Sequence, residues 1–158
     1  MAQGDTLSTM KSLELRRHAP RDPEVDRLSK DGQALALHIG KNLPGGYVAV
    51  FTSPAKRAAE TAAYFMRALG QQLPQIHGVS DDLASEDPER LARGVNQIFE
   101  AIPDGGLGLA VGHTPLLEMA VKALTGEKIA PLRECEGALL EQEDGNVRLA
   151  TEYRRENV

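Results

Sequence analysis

The sequence predicts an α/β domain, built as a three-layer α/β/α sandwich around a mainly parallel central sheet. Short apolar runs such as Tyr47–Phe51 and Leu107–Val111 are typical of strands that are buried on both faces of a parallel sheet. Segments with helical periodicity alternate with the predicted strands in the order β-α-β-α-β-α-β-α-β-β. This alternation is the order of a sheet that carries helices on both faces.

Each element in the first half of the chain follows from a local pattern. Ser12–Arg16 alternates polar and apolar residues and predicts a first strand. A helix capped by Ser29 or Asp31 is expected to reach about Leu43. After the apolar strand comes Ser53-Pro54, which predicts an N-cap followed by proline at the first helical position.

The second half continues the alternation. Gln75–Val79 predicts a short strand, and Glu89–Ile102 predicts a helix. Thr114-Pro115 repeats the cap-and-proline start, for a helix that runs to about Leu124. The last two predicted strands, joined by a turn at Asp144-Gly145-Asn146, are Gly137–Glu141 and Val147–Tyr153.

Length and composition limit the class of protein. The 158 residues fit one domain, predicted over 11–158, after a flexible leader over 1–10. A net charge of −5 argues against a nucleic-acid or anionic-membrane partner. No apolar run approaches the roughly 20 residues that a bilayer span needs. The single cysteine, Cys135, cannot form an internal disulfide, so we expect a cytoplasmic protein.

Polar side chains follow three of the predicted strands. Because ligands bind outside the carboxyl ends of the strands in open α/β sheets, we expect these side chains to share one pocket. They are, in chain order, Arg17, His18, Arg21, Ser53, Arg57, His113 and Thr114.

Arg57 favours an anion in this pocket. A cation in the first turn of a helix opposes the helix dipole, and an anion bound at the helix terminus would resolve the conflict. The guanidinium group also suits phosphate oxygens. We therefore expect phosphate or sulfate in the pocket. No carboxylate cluster that could hold Mg²⁺ is apparent nearby, so no metal or cofactor is predicted.

Each of these residues has an ordinary alternative interpretation when it is taken alone. Arg17 could form a surface salt bridge, and His18 could be a solvated loop residue. Arg57 could be a helix residue whose charged end reaches solvent, and His113 could be a helix cap. Their occurrence together at one end of three strands favours the site. His38 and His77 lack suitable polar neighbours and are assigned to structure.

Three segments resemble the histidine phosphatase superfamily, also called phosphoglycerate mutase-like. Arg17-His18-Ala19 is similar to its Arg-His-Gly signature, and residues 52–61 (TSPAKRAAET) resemble its S-P-x-x-R-A-x-x-T element. Residues 111–116 (VGHTPL) resemble the element of the second histidine. The chain has little room for the cap that larger members insert, so it looks most like the SixA-type phosphohistidine phosphatases.

The resemblance implies a phosphoglycerate mutase-like fold and a metal-independent phosphatase that acts through a phosphohistidine enzyme intermediate. His18 would be the nucleophile, with its other ring N–H oriented by a backbone carbonyl. Arg17, Arg57 and His113 would hold the phosphoryl oxygens, with His113 protonated in the complex. Water would then hydrolyse the intermediate.

Three departures from the family pattern bear on activity. Ala19 replaces the glycine after the catalytic histidine, which matters if the backbone there needs positive φ. Arg21 adds a phosphate contact or faces solvent. The usual position of the general acid holds Ser85, so Glu86 or Asp82 would have to serve.

Several functions remain open at this point. The first is hydrolysis of phosphohistidine in a signalling protein, whose imidazole leaving group tolerates a weak general acid. The second is hydrolysis of a small phosphorylated metabolite or nucleotide, which a contact from Arg21 or Lys56 to a second anionic group would favour. The third is a non-catalytic phosphate-binding module. A mutase is disfavoured because it needs a lid that excludes water.

Overall fold

Six strands and four helices alternate along residues 9–155, which a computed structural model describes. The strands are β1 (Lys11–Arg17), β2 (Ala49–Thr52), β3 (Ile76–Val79), β4 (Leu107–Gly112), β5 (Gly137–Glu143) and β6 (Asn146–Tyr153). The helices are α1 (Lys30–Gly40), α2 (Lys56–Leu69), α3 (Pro88–Ala101) and α4 (Leu116–Thr125). Each predicted element is present. The leader predicted over 1–10 falls almost entirely outside the described residues.

The six strands form one sheet in the order β3-β2-β4-β1-β5-β6. The first four strands of this order are parallel, whereas β5 is antiparallel to β1 and β6 is antiparallel to β5. The prediction of a mainly parallel sheet is therefore confirmed. β4 lies in the middle of the parallel part and is buried after its first residue, as its continuous apolar run predicts.

Helices cover both faces of the sheet, which confirms the three-layer prediction. One core contains Leu109 and Val111 of β4 and packs against α1 and α2. The other core contains Ala110 of β4 and packs against α3 and α4. Because side chains alternate along a strand, one apolar run supplies both cores.

β1 buries polar side chains on one of its two faces. Leu13 and Leu15 face the α3–α4 core, while Glu14 and Arg16 face the opposite side. The fully buried Glu14 carboxylate accepts hydrogen bonds from Arg16 Nε at 2.6 Å and from the Tyr47 hydroxyl at 2.8 Å. Arg16 also donates to the Cys135 carbonyl at 3.0 Å. These bonds compensate for the desolvation of both charges.

Several boundaries differ from prediction by a few residues, and two of them have clear local reasons. β2 begins at Ala49 because the backbone N–H and carbonyl of Tyr47 bond the Gln71 side-chain amide, at 3.2 and 2.9 Å. The β5–β6 turn consists of Asp144 and Gly145 alone, with φ values of 53° and 80°. Positive φ at both central residues is typical of tight hairpin turns.

No helix within residues 9–155 is long and apolar enough to cross a membrane.

Candidate active site

The sheet register brings the three chemistry-bearing segments to one edge. Arg17 of β1 pairs with Gly112 of β4, and Thr52 of β2 pairs with Val111 of β4. The next residue of each strand therefore emerges at the same height: His18, Ser53 and His113. The backbone N–H groups of His18 and Ser53 donate to the β4 carbonyls of residues 112 and 111, at 3.0 and 3.1 Å.

His18 presents an unprotonated ring nitrogen to the site. Its Nδ1 lies 2.7 Å from the Ala19 carbonyl oxygen, which can only accept, so Nδ1 carries the proton. The predicted orientation by a backbone carbonyl is confirmed. Nε2 therefore carries the lone pair, and Arg57 Nε donates to it at 3.3 Å. Burial lowers the pKa of His18, and the Arg57 and Arg17 charges lower it further. The imidazole is neutral near pH 7.

Ala19 fits its position without strain. Within residues 9–155 the non-glycine residues with positive φ are Cys135 and Asp144, so Ala19 has an ordinary backbone conformation. The side chain is fully buried, and its N–H donates to the Thr61 hydroxyl at 2.9 Å. The backbone at residue 19 therefore does not require glycine.

The anion at the N-terminus of α2 is Asp26, a residue of the loop between β1 and α1. Its carboxylate accepts from the backbone N–H groups of Lys56 and Arg57, at 2.8 and 3.2 Å. It also accepts from Arg57 Nη1 at 2.9 Å. The expectation that a ligand would occupy these N–H groups is wrong, because a carboxylate of the chain already satisfies them.

His113 lies between Ser53 and Arg57. Its Nε2 is 2.5 Å from Ser53 Oγ, and its Nδ1 is 3.4 Å from Arg57 Nη2. Its ring centroid is 5.2 Å from that of His18. Burial, then the Arg57 charge and then His18 lower the pKa of His113 to about 4. The ring is therefore neutral near pH 7 when no ligand is bound.

Two contacts from the segment before β5 hold the guanidinium group of Arg17. Nη1 donates to the Leu132 carbonyl at 2.8 Å, and Nη2 lies 3.7 Å from the Glu134 carboxylate. Nε is buried and has no hydrogen-bond partner among residues 9–155. A buried N–H without a partner costs free energy.

The predicted caps of α2 and α4 are wrong, because both helices begin later in the chain; Ser53 Oγ accepts from the Ala55 N–H at 3.3 Å, but Ser53 is not in the N-cap position. Ser53 bonds His113, and α2 begins at Lys56 with Ala55 in the N-cap position. Thr114 donates to the Glu118 carboxylate, and α4 begins at Leu116 after Pro115. Ser53 belongs to the site through His113, whereas Thr114 lines its wall.

The two candidate general acids lie in different places. Glu86 is exposed and lines the same cleft as His18 and His113. Asp82 belongs to the short helical turn Asp81–Ala84 and lines a separate pocket, where it pairs with Arg90 at 3.3 Å. The structure thus brings Glu86 to the site and leaves Asp82 apart from it.

Four other residues lie apart from the cleft. Arg21 is exposed, and its Nε donates to the Asp22 carbonyl at 3.0 Å. Lys56 is exposed at the start of α2. His38 lies in the last turn of α1, and His77 contacts the Pro74 carbonyl at 2.7 Å on strand β3.

The cleft has a volume of about 600 Å³, and Arg17, His18, Arg57, Glu86 and His113 are among the residues that line it. The site combines one unprotonated imidazole nitrogen with two guanidinium groups and a second histidine. Such a set can attack an electrophilic centre and stabilise negative charge on it. Among residues 9–155, no group of three or more His, Cys, Asp or Glu side chains is arranged to hold a metal ion.

Sequence comparison finds no matching family model and no matching curated protein. Solved structures are similar over most of the chain. A phosphoglycerate mutase from Bacillus anthracis superposes with a TM-score of 0.77 at 16% identity, covering 93% of this chain and 94% of that one. The protein histidine phosphatase SixA in complex with tungstate gives 0.74 at 21% identity, covering 92% and 98%.

A third structure agrees with these two. The putative phosphohistidine phosphatase SixA from Agrobacterium tumefaciens gives a TM-score of 0.66 at 20% identity, and covers 91% of this chain and 97% of that one. The chain therefore has the phosphoglycerate mutase-like fold.

Proposed function

We propose that this chain is a phosphatase that forms a covalent phosphohistidine at Nε2 of His18. The observation that carries the proposal is the state of the His18 ring. Its Nδ1 is committed to the Ala19 carbonyl, and its unprotonated Nε2 accepts a hydrogen bond from Arg57 Nε at 3.3 Å. A lowered pKa keeps this nitrogen unprotonated, as a nucleophile requires.

The proposed reaction has two steps. In the first, His18 Nε2 attacks phosphorus, the bond from phosphorus to the leaving group breaks, and the leaving atom takes up a proton from Glu86, which lines the cleft. In the second, water attacks the phosphorus of the phosphohistidine and gives a proton back to the Glu86 carboxylate, the P–N bond breaks, and inorganic phosphate and neutral His18 are released. Arg17, Arg57 and His113 hold the phosphoryl oxygens in both steps. All three side chains line the same cleft as His18, which supports this role.

We propose phosphohistidine in a signalling protein as the substrate. Glu86 is the candidate acid that lines the cleft, and it is exposed to solvent. An exposed acid is a modest catalyst, and the imidazole of a phosphohistidine leaves with less help than an alkoxide. A small phosphorylated metabolite has less support, because Arg21 and Lys56 do not line the cleft that would hold its second anionic group.

The reaction is tested with a generic aryl phosphate, with and without a chelator. We expect turnover that survives the chelator and is lost in His18→Ala by at least about a thousandfold. His77→Ala is the matched control, because this exposed histidine lies away from the cleft. Turnover that requires added metal, or that persists in His18→Ala, would overturn the mechanism.

The substrate and the acid are tested together. A phosphohistidine-containing phosphotransfer protein should be hydrolysed with a higher kcat/KM than any member of a panel of phosphorylated metabolites. Glu86→Gln should slow hydrolysis of an alkyl phosphate by about tenfold or more and phosphohistidine hydrolysis much less. Asp82→Asn is the control and should change neither rate. Preference for a metabolite would refute the assignment of substrate.

A further inference from the structure

Asp26 lies in a loop, and its carboxylate contacts the N-terminus of α2, which begins 30 residues later in the chain. The first helical N–H groups have no partner within a helix and need one outside it. Ala55, in the N-cap position, makes no side-chain cap bond. Asp26 supplies the missing acceptors through its bonds to the N–H groups of Lys56 and Arg57. It therefore caps a helix to which it does not belong.

The same carboxylate determines which edge of the Arg57 guanidinium faces the cleft. Asp26 Oδ1 accepts from Nη1 at 2.9 Å. The opposite edge, formed by Nε and Nη2, points toward the histidines: Nε lies 3.3 Å from His18 Nε2, and Nη2 lies 3.4 Å from His113 Nδ1. This edge carries two parallel N–H groups, the arrangement that binds two oxygens of one phosphoryl group.

The loop that carries Asp26 is held at several points. The Asp22 carboxylate accepts from the N–H groups of Glu24 and Val25, at 2.8 and 3.2 Å. Asp22 N–H donates to the Arg27 carbonyl at 2.7 Å. Leu28 N–H donates to the Glu60 carboxylate of α2 at 2.6 Å. The loop is therefore attached to α2 both at Asp26 and at Leu28.

We propose that Asp26 is a positioning residue of the active site. It holds Arg57 by Nη1, so that the Nε–Nη2 edge meets the phosphoryl group beside His18. It also occupies the N–H groups of α2, so that the guanidinium, and not the helix terminus, binds the anion. This inference rests on the proposed phosphatase function, since it assigns the partner that orients one of its phosphate ligands.

A double-mutant cycle separates positioning from simple stabilisation. The variants are Asp26→Ala, Arg57→Ala and the double variant, assayed for kcat/KM on an aryl phosphate and for sulfate binding. We expect Asp26→Ala to lower kcat/KM on the order of tenfold in the wild-type background, and less than about twofold when Arg57 is already alanine. The loss of Tm, which reports the helix cap, should be similar in both backgrounds.

Glu60→Ala is the matched control, because it frees the same loop at its other attachment without touching Arg57. It should lower Tm and leave kcat/KM within about twofold of the wild type. If Asp26→Ala does not fold, Asp26→Asn takes its place, since it keeps the shape of the side chain and removes its charge. The same pattern with smaller changes is then expected.

Two results would overturn the inference. One is an Asp26 effect of equal size in both backgrounds, and the other is an equal loss of kcat/KM in Glu60→Ala. His18→Ala, assayed in parallel, keeps the two proposals apart. An inactive His18→Ala together with an unaffected Asp26→Ala refutes only the role of Asp26, whereas an active His18→Ala refutes the phosphatase mechanism itself.

Discussion

Anion binding at this site should be coupled to proton uptake by His113. Burial, the Arg57 charge and His18 lower the pKa of His113 to about 4 in the ligand-free site. A tetrahedral dianion placed against the ring favours the charged imidazolium, so the pKa rises in the complex. Between these two pKa values the complex binds one more proton than the free protein. Affinity must therefore increase as the pH falls through this interval.

The size of the change in affinity follows from how far the pKa of His113 lies below neutral pH. Charging a group about three pH units above its pKa costs about 4 kcal/mol. The His113 ring is partly exposed, and solvent screening reduces this figure to on the order of 2 kcal/mol. Sulfate binding near pH 7 is then weaker by roughly 30-fold than binding to a protonated site.

Sulfate is the suitable probe because it keeps one charge state over the range in question. Its dissociation constant should fall as the pH is lowered from about 8 to about 6, by up to tenfold per unit. Titration calorimetry in two buffers with different ionisation enthalpies measures the protons taken up. Nitrogen-15 NMR of the ring should show His113 neutral in the free protein and charged in the complex.

His113→Gln keeps a side-chain hydrogen-bond donor and removes the titration, so it serves as the control. Its sulfate affinity should vary much less with pH. A charged His113 in the free protein at pH 7 would refute the reasoning, as would an unchanged pH dependence in His113→Gln. The second result would mean that another group takes up the proton, and the neighbouring histidine is His18, whose ring centroid is 5.2 Å away.

Two further predictions concern stability, each measured as the free energy of unfolding in urea. Tyr47→Phe removes the hydroxyl that bonds the buried Glu14 carboxylate, and should lower the free energy of unfolding by about 2 kcal/mol. Tyr64→Phe is the control, and an equal loss in both variants would contradict the assigned bond. Gly32→Ala would place a Cβ 1.9 Å from the Pro20 carbonyl oxygen, so the backbone must move. The free energy of unfolding should fall by more than about 2 kcal/mol, and a loss near zero would contradict this packing.

The convergence of Arg17, His18, Arg57 and His113 could be predicted because it depends on features that the sequence displays directly. Apolar runs mark the buried strands, and the alternation of strands and helices makes those strands parallel. Parallel strands end at the same edge of the sheet. The residues that follow β1, β2 and β4 are therefore brought together by topology alone.

The details that could not be predicted depend on partners distant in sequence. Ser53 has the local pattern of a helix cap, but its hydroxyl bonds His113, 60 residues away. Asp26 lies in a polar loop without a distinctive pattern, and its role requires knowing that this loop contacts α2. Glu134 approaches Arg17 from the segment before β5, and no local signal marks it. Local propensity does not encode such contacts.

The buried charges of β1 have a consequence for the position of His18. If β1 shifted by one residue against its neighbours, Glu14 and Arg16 would enter the apolar α3–α4 core, and Leu13 and Leu15 would replace them opposite Tyr47. That alternative pairing would bury the Glu14–Arg16 pair in an apolar core, away from the Tyr47 hydroxyl and the Cys135 carbonyl that complete its hydrogen bonds. The bonds from this pair to Tyr47 and Cys135 thus select a single alignment of the strand. Because His18 follows directly after β1, the same contacts set its height above the sheet edge, although none of them touches it.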